Sequence, residues 1–297
     1  MVAAPDRQGE VRAALRWLKE RLVLDGLRLR EVALLARKVS PYRAFIVQTA
    51  REFGVPVQLV DGYPLRGNPA VSALLDLLRL TLPGETPFAW RPVVAAWRCP
   101  YFDWHFEDSG DAEAQDDGGL TIAAQDAEAL DRVARWASVV GGLDQWAEAF
   151  DLLGDAGRVE NLEDGERDVP SNLPTGASPE SLRRKFRAFV ERIRPPQGQL
   201  QCRGYVAWLE GLIGNFKDSE EPSDSDGGRI DGVGLARCID AGPDDLRRRD
   251  TAALNALKDV LRGLVWADEA VACDPVDFAQ FFADLAGAID VAVYRLP

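Results

Sequence analysis

The sequence predicts a mostly α-helical protein: a small parallel α/β unit at the N-terminus, then an irregular helical subdomain. Three observations carry this. Apolar residues recur at helical spacing through most of the chain beyond residue 84. Two short apolar runs, Val32–Ala36 and Val55–Val60, bracket a single helical pattern near the start. With a helical crossover between them, these runs would be parallel neighbours in one sheet. The expected division is 1–84 for the α/β unit and 85–297 for the helical subdomain. Two strands rarely stand alone, so the rest of the sheet is expected elsewhere in a longer parent protein.

Taken in order, residues 8–24 form an amphipathic helix with Val11, Leu15, Leu18 and Leu22 on one face, ended by Asp25-Gly26. The first strand follows and ends in Arg37. Ser40-Pro41 then reads as an N-cap with proline in the first turn. Phe45, Ile46, Thr49 and Phe53 share a face, and Gly54 closes that helix. The second strand stops at Asp61-Gly62. Asn68-Pro69 caps a helix with Val71, Leu74, Leu75, Leu78 and Leu82 inward.

Beyond residue 86 the pattern is helical. Residues 88–104 are rich in Trp and Phe, and 107–119 read as an acidic loop. Asp126 is expected to cap a helix over 126–140, with a short helix over 143–153 and a polar linker over 154–178. Pro179 opens a helix with Leu182, Phe186, Phe189, Val190 and Ile193 on one face, stopped by Pro195-Pro196. Helices are expected over 200–216, over 250–266 capped by Asp250, and after a cap at Asp274-Pro275. The stretch 218–228 reads as mobile.

Composition narrows the function. The chain has 297 residues, 46% of them hydrophobic, enough for a substantial core. No apolar run of about 18 residues exists and MVAAPDRQGE lacks an apolar signal core, so no membrane span and a cytoplasmic location are expected. The net charge of −13 argues against a general polyanion binder but leaves room for a local basic track. Cysteines at 99, 202, 238 and 273 form no Cys-x-x-Cys pair, and with one histidine in the chain they read as buried free thiols, not metal ligands.

Two absences are informative. A phosphate-binding loop needs Gly-Lys-[Ser/Thr], because its lysine meets the β- and γ-phosphates. No lysine here follows a glycine. Restriction-type nuclease cores show [Asp/Glu]-x-Lys, yet the residues two before the lysines are Trp17, Ala36, Arg183, Asn215 and Ala256. The chain alone is therefore expected to be inert as an ATPase or nuclease. Val265-Trp266-Ala267-Asp268-Glu269 imitates a Walker B strand, but its upstream spacing is helical.

The stretch 31–80 resembles the segment around motif IV of superfamily 1 helicases of the UvrD/RecB type. The residues that carry this are Leu34-Leu35-Ala36-Arg37, Tyr42-Arg43 and Gly54-Val55-Pro56. Within that group the likeness is to AddB-like ATP-dependent helicase–nuclease subunits. Arg98-Cys99-Pro100-Tyr101-Phe102 and the closing Tyr294-Arg295-Leu296-Pro297 are also similar to stretches of that subfamily. The resemblance implies part of a second motor domain with its inserted helical subdomain. It implies a parent that uses ATP and Mg to unwind or resect DNA in repair and recombination. Partners would be DNA and other motor and nuclease domains or a partner subunit. The fragment itself would hold no cofactor. Lys38-Val39 depart from the aromatic or Asn/Thr residues common after the family's arginine.

The candidate residues follow. A strand-end arginine such as Arg37 can pair with a local acid or reach a γ-phosphate held by another domain. The resemblance assigns Arg37 the phosphate role, with Arg43 as a companion at the nucleotide. Arg183, Arg184, Arg187 and Arg194 lie beside the apolar face of their helix. They read either as a DNA phosphate track or as a solvated face whose arginine stems cover the core. Trp90, Trp97, Tyr101, Phe102 and Trp104 read as a base-stacking platform or, more commonly for such clusters, as core. Arg247-Arg248-Arg249 suit a loop, and His105 stands alone. A reading of a different class is a free-standing acidic helical interaction module. A third is a stand-alone single-stranded DNA binder.

Overall fold

The computed structural model describes residues 4–59, 62–84, 86–106, 120–159, 178–214, 232–271 and 273–296. It is mostly α-helical, with eleven α-helices among the described residues and strands of only two residues. The chain divides into two compact units, Met1–Tyr63 and Pro64–Pro297.

In the first unit, α1 (Arg7–Leu24) packs on α2 (Arg43–Phe53). Asp6 caps α1 by accepting from the Gly9 amide at 2.6 Å. Val11, Leu15, Ile46 and Ala50 form the core, flanked by Val39, Tyr42, Phe45, Phe53 and Leu59. Polar clasps run along the seam. Arg12 pairs with Glu52 at 2.9 Å, Lys19 donates to the Phe53 carbonyl at 2.6 Å, and the Tyr42 hydroxyl donates to Glu10 at 3.0 Å. Gly54 ends α2 at φ 65°, a left-handed conformation that glycine adopts without strain. Ser40–Tyr42 form a 3-10 turn ahead of α2, and Ser40 makes no capping bond there.

The two expected parallel strands are not formed among the described residues. Val32 has extended dihedrals, φ −119° and ψ 144°, but residues 32–36 pair with nothing, and the Val55 amide bonds back to Ala50 at 2.9 Å. Extended backbone becomes a strand only when a ladder partner takes up its N–H and C=O groups. Two short runs without a third strand or a covering helix do not supply one. Leu34 and Leu35 are left exposed, Leu35 at 90%. Val60 and Asp61 lie outside the described residues.

The second unit is built on α3 (Pro69–Arg79), whose Val71, Leu74, Leu75, Leu77 and Leu78 are all buried. Asn68 caps it as the sequence implies, its Oδ1 accepting from the Ala70 and Val71 amides at 3.0 and 3.3 Å. Then follow α4 (Trp90–Arg98), the antiparallel pair β1 (His105–Phe106) and β2 (Leu120–Thr121), α5 (Ala124–Trp136) and α6 (Leu143–Val159). The chain continues through α7 (Pro179–Ile193), α8 (Cys202–Ile213), α9 (Leu235–Asp240), α10 (Asp244–Val271) and α11 (Phe278–Val291), ending in β3 (Val293–Tyr294). No described helix is long and apolar enough to cross a membrane.

Several boundaries differ from expectation. Helix α6 runs to Val159, past the expected stop at 153. Asp126 is the third residue of α5, where its carboxylate accepts from the Ala123 amide at 2.7 Å, so it closes the first turn from inside. Helix α10 begins at Asp244, so the expected cap Asp250 and the arginine run before it are helical. Asp277, not Asp274, caps α11 by accepting from the Gln280 amide at 2.8 Å. The expected loop 107–119, the linker beyond Val159 up to residue 177, the stretch 218–228, Phe216 and Pro297 lie outside the described residues.

Two aromatic clusters hold this unit. Trp146 lies 4.9 Å from Phe186, and Phe189 lies 5.0 Å from Trp104 and 5.9 Å from Trp97, centroid to centroid. Two of the three indole N–H groups find acceptors, Trp146 donating to the Phe88 carbonyl at 2.8 Å and Trp104 to the Ala96 carbonyl at 3.1 Å, while the buried Trp97 Nε1 meets no acceptor among the described residues. The second cluster stacks Tyr205 on Phe281 at 4.9 Å, with Phe278 against Tyr205 and Trp208 edge-on to Phe278. Ring pairs of this kind add about 0.5–1.5 kcal/mol each beyond the area they bury. Trp97, Phe102 and Trp104 are thus core, and a base-stacking platform is not what they make. Gly232, at φ 106°, lies so close to α8 that a Cβ would sit 2.3 Å from the Gly211 carbonyl oxygen.

Candidate functional site

Arg37 sits at a bend after the extended stretch 32–36. Its side chain is exposed and makes no ion pair among the described residues. The local-acid alternative therefore finds no acid here. Arg43, in the first turn of α2, is half-buried with its guanidinium 5.2 Å above the Tyr63 ring. No described contact joins the two arginines. One projects into solvent, and the other is packed by a cation–π contact.

In the second unit, helix periodicity sets the geometry of the arginines on α7. Arg183, Arg187 and Arg194 fall within a narrow arc, because spacings of four and eleven residues are close to whole turns. Arg183 is ion-paired with Asp151, and Arg194, the C-cap residue, pairs with Glu191 at 3.0 Å. Arg184 and Arg187 are exposed and carry no ion pair among the described residues. Half of the expected track is thus already occupied by acids. The opposite face is buried, so the arginine stems flank apolar side chains as an amphipathic helix requires.

Reading along the chain missed two buried polar groups that tie distant segments together. Asp250 is 2% exposed and its carboxylate accepts four hydrogen bonds. They come from Asn68 Nδ2 at 2.8 Å, the Tyr101 hydroxyl at 3.0 Å, and Arg249 Nε and Nη2 at 2.7 and 3.1 Å. Burial, reinforced by the hydrogen bond and charge of Asp250, pushes the Tyr101 phenol up to about 12. The hydrogen bond to Asp250 also raises Arg249. The second group is Asp126 with Lys185, paired at 2.7 Å where α5 meets α7. The sequence carries no signal for either link, since the partners lie far apart along the chain.

The thiols depart from expectation too. Cys273 is exposed in the connector after α10, while Cys99, Cys202 and Cys238 are half-buried. Burial raises the pKa of these three, Cys202 to about 11, which makes them poor nucleophiles. His105 hydrogen-bonds Thr121 across β1–β2 at 2.8 Å. Val265–Glu269 lie inside α10 with Trp266 70% exposed, so the Walker B likeness is only local. Among the described residues no group of three or more His, Cys, Asp or Glu is placed to hold a metal ion.

No family model matches the chain. Two curated proteins are similar to part of it. An ATP-dependent helicase/deoxyribonuclease subunit of Leuconostoc citreum is 31% identical over 107 residues, which is 34% of this chain and 9% of that protein. The protein of the same name from Moorella thermoacetica is 34% identical over 82 residues, 28% of this chain and 7% of that protein. The matched stretches therefore cover less than a tenth of either relative's length.

Proposed function

We propose that this chain is part of an ATP-dependent DNA helicase–nuclease of the AddB-like type, acting on DNA in repair and recombination. The observation that carries this reading is that both similar proteins, from two different organisms, bear one name, that of an ATP-dependent helicase/deoxyribonuclease subunit. The exposed, acid-free Arg37 supports it, because an arginine that serves a γ-phosphate on another domain must be left unpaired in its own. Exposed Leu34, Leu35 and Val57 support it as well, since an apolar extended stretch in water suits one covered by further sheet. In this reading Arg37 stabilises charge on a γ-phosphate whose loop and Mg belong to another domain. Arg43 steadies the turn behind it. Arg184 and Arg187, with Arg183 and Arg194 beside them, contact DNA phosphates. The remaining helical surface docks a neighbouring domain or subunit.

The test is Arg37→Ala in a full-length protein that carries this segment. Loss of DNA-stimulated ATP hydrolysis by a factor of about 10³ or more, with an unchanged melting transition, is expected. Unchanged hydrolysis removes the assigned role of Arg37. A second reading, an acidic helical interaction module, is favoured by the exposure of Trp17 and Trp266, at 59% and 70%. In that case no full-length ATPase containing the segment exists in the source organism, which immunoblotting of its lysate decides by mass.

A further inference from the structure

We propose that the groove between α10 and the closing stretch of the chain is an anion site that takes a phosphate ester. This inference stands apart from the reading of Arg37. The groove encloses about 830 Å³ and is lined by Arg247, Arg248, Thr251, Asn255, Tyr294 and Arg295, among others. Arg247, Thr251 and Asn255 lie one helical turn apart on one face of α10, with Arg248 beside Arg247 and three residues before Thr251, and the last two come from β3 and the residue after it.

The charges explain the choice of ligand. Arg247 is held by Asp244 at 2.5 Å. Arg248 donates only to the Asp244 main-chain oxygen, at 3.4 Å, and Arg295 makes no ion pair among the described residues. Other acid-free arginines, such as Arg184 and Arg187, sit on an exposed helix face. Arg248 and Arg295 instead share one concavity, in a chain whose net charge is −13. Two like charges turned toward one groove repel each other, and an anion between them relieves that. Of the two carboxylates in the lining, Asp259 is engaged by Arg262 at 2.7 Å.

The donor set suits phosphate better than carboxylate. Two guanidinium forks, the Thr251 hydroxyl and the Asn255 amide offer more N–H and O–H groups than one carboxylate accepts, whereas a phosphate presents three or more acceptor oxygens. Ala252, Ala256 and Val293 supply an apolar wall. Asp240 supplies an acceptor for a hydroxyl or amino group on the organic part of the ester. The volume is that of a site for one nucleotide-sized group. The ester can come from a free nucleotide or from one residue of a nucleic-acid strand.

The full chain is titrated at low salt with pyrophosphate, ADP and a fluorescent oligo-dT, as wild type and as Arg248→Ala, Arg295→Ala, Arg248→Lys and Arg203→Ala. At least one probe is expected to bind. Arg248→Ala and Arg295→Ala should each weaken it tenfold or more without moving the melting transition, since both side chains are exposed. Arg248→Lys should recover part of the loss, and Arg203→Ala, which removes only an exposed pair with Glu269 outside the groove, should leave binding unchanged. Binding of oligo-dT alone assigns the site to a strand. Binding of ADP assigns it to a free ester, whereas binding of pyrophosphate without ADP or oligo-dT shows an inorganic-anion site and overturns the ester. Absence of binding by all three probes, or binding that neither alanine variant affects, overturns the proposal.

Discussion

Removing the Asp250 carboxylate tests what holds the second unit together. In Asp250→Ala four hydrogen bonds vanish at once, and their donors fare differently. Asn68 is fully buried, so its amide N–H is left without a partner and without water, at a cost of about 1–3 kcal/mol. Arg249 has a side chain 31% exposed, so water re-solvates much of its guanidinium and the loss there is moderate. Breaking a buried ion pair from one side typically costs about 3–5 kcal/mol, and the partial exposure of Arg249 places this case near the lower end, at about 3 kcal/mol. Asp250→Asn keeps the shape and one acceptor but turns an amide N–H₂ toward donors, so about 1–3 kcal/mol is expected. The reference is Asp290→Ala, which breaks the exposed Arg66–Asp290 pair at 2.7 Å and should cost under about 1 kcal/mol. Urea unfolding of the three variants, with the slope against denaturant held constant, ranks them. If Asp250→Ala costs no more than Asp290→Ala, the network is incidental and the reasoning fails. Should Asp250→Ala not fold, Asp250→Asn must still cost more than Asp290→Ala.

Two further outcomes are expected. The Tyr101 phenol is raised to about 12, so the folded state favours its neutral form; the stability it contributes is complete below the unfolded value near 10 and is lost as pH rises through about 12. Tyr42 and Tyr205 are raised as well, so alkaline titration followed by tyrosinate absorbance should show a late component that Tyr101→Phe reduces, and a late component that Tyr101→Phe leaves unchanged would contradict the network geometry. Gly232→Ala should destabilise the second unit by about 2–4 kcal/mol, because a left-handed φ of 106° and a Cβ 2.3 Å from the Gly211 carbonyl oxygen both oppose it. Gly263→Ala, with open space at its Cβ, is the control in the same thermal melt and should be neutral or slightly stabilising.

The helices are legible wherever local chemistry and burial agree. Asn68-Pro69 is such a case: the amide side chain, the proline at the first helical position and the leucine spacing all specify the same start, and α3 begins there. The face of α7 and the aromatic face of α11 are equally readable, since Leu182, Phe186, Phe189, Phe281 and Leu285 recur at helical spacing and all are buried. Starts are misread where a polar run hides a helical turn. Arg247-Arg248-Arg249 looks like a loop, yet these residues lie in the first turns of α10, where exposed arginines cost a helix nothing. Asp250 reads as a cap because it precedes an apolar run, but it is drawn inward by partners supplied by other elements.

Strands are misread for a different reason. Apolar runs such as Val32–Ala36 carry β-propensity, but propensity describes how a residue fits a pleated surface that already exists. A helix satisfies its own backbone, so α1 and α2 form and pack with no outside help. A strand depends on a neighbour, and among the described residues of the first unit the two short runs do not pair. The same dependence explains the candidate site. Arg37 stands out through likeness to other proteins and not through its surroundings, because nothing described in its own unit pairs with it. The groove of Arg248 and Arg295 has the opposite character: its residues are ordinary one by one and far apart in the chain, and only the return of β3 alongside α10 brings them to one cavity. A residue that acts on something outside its unit leaves a trace in sequence likeness, whereas a site assembled from distant segments leaves its trace only in the fold.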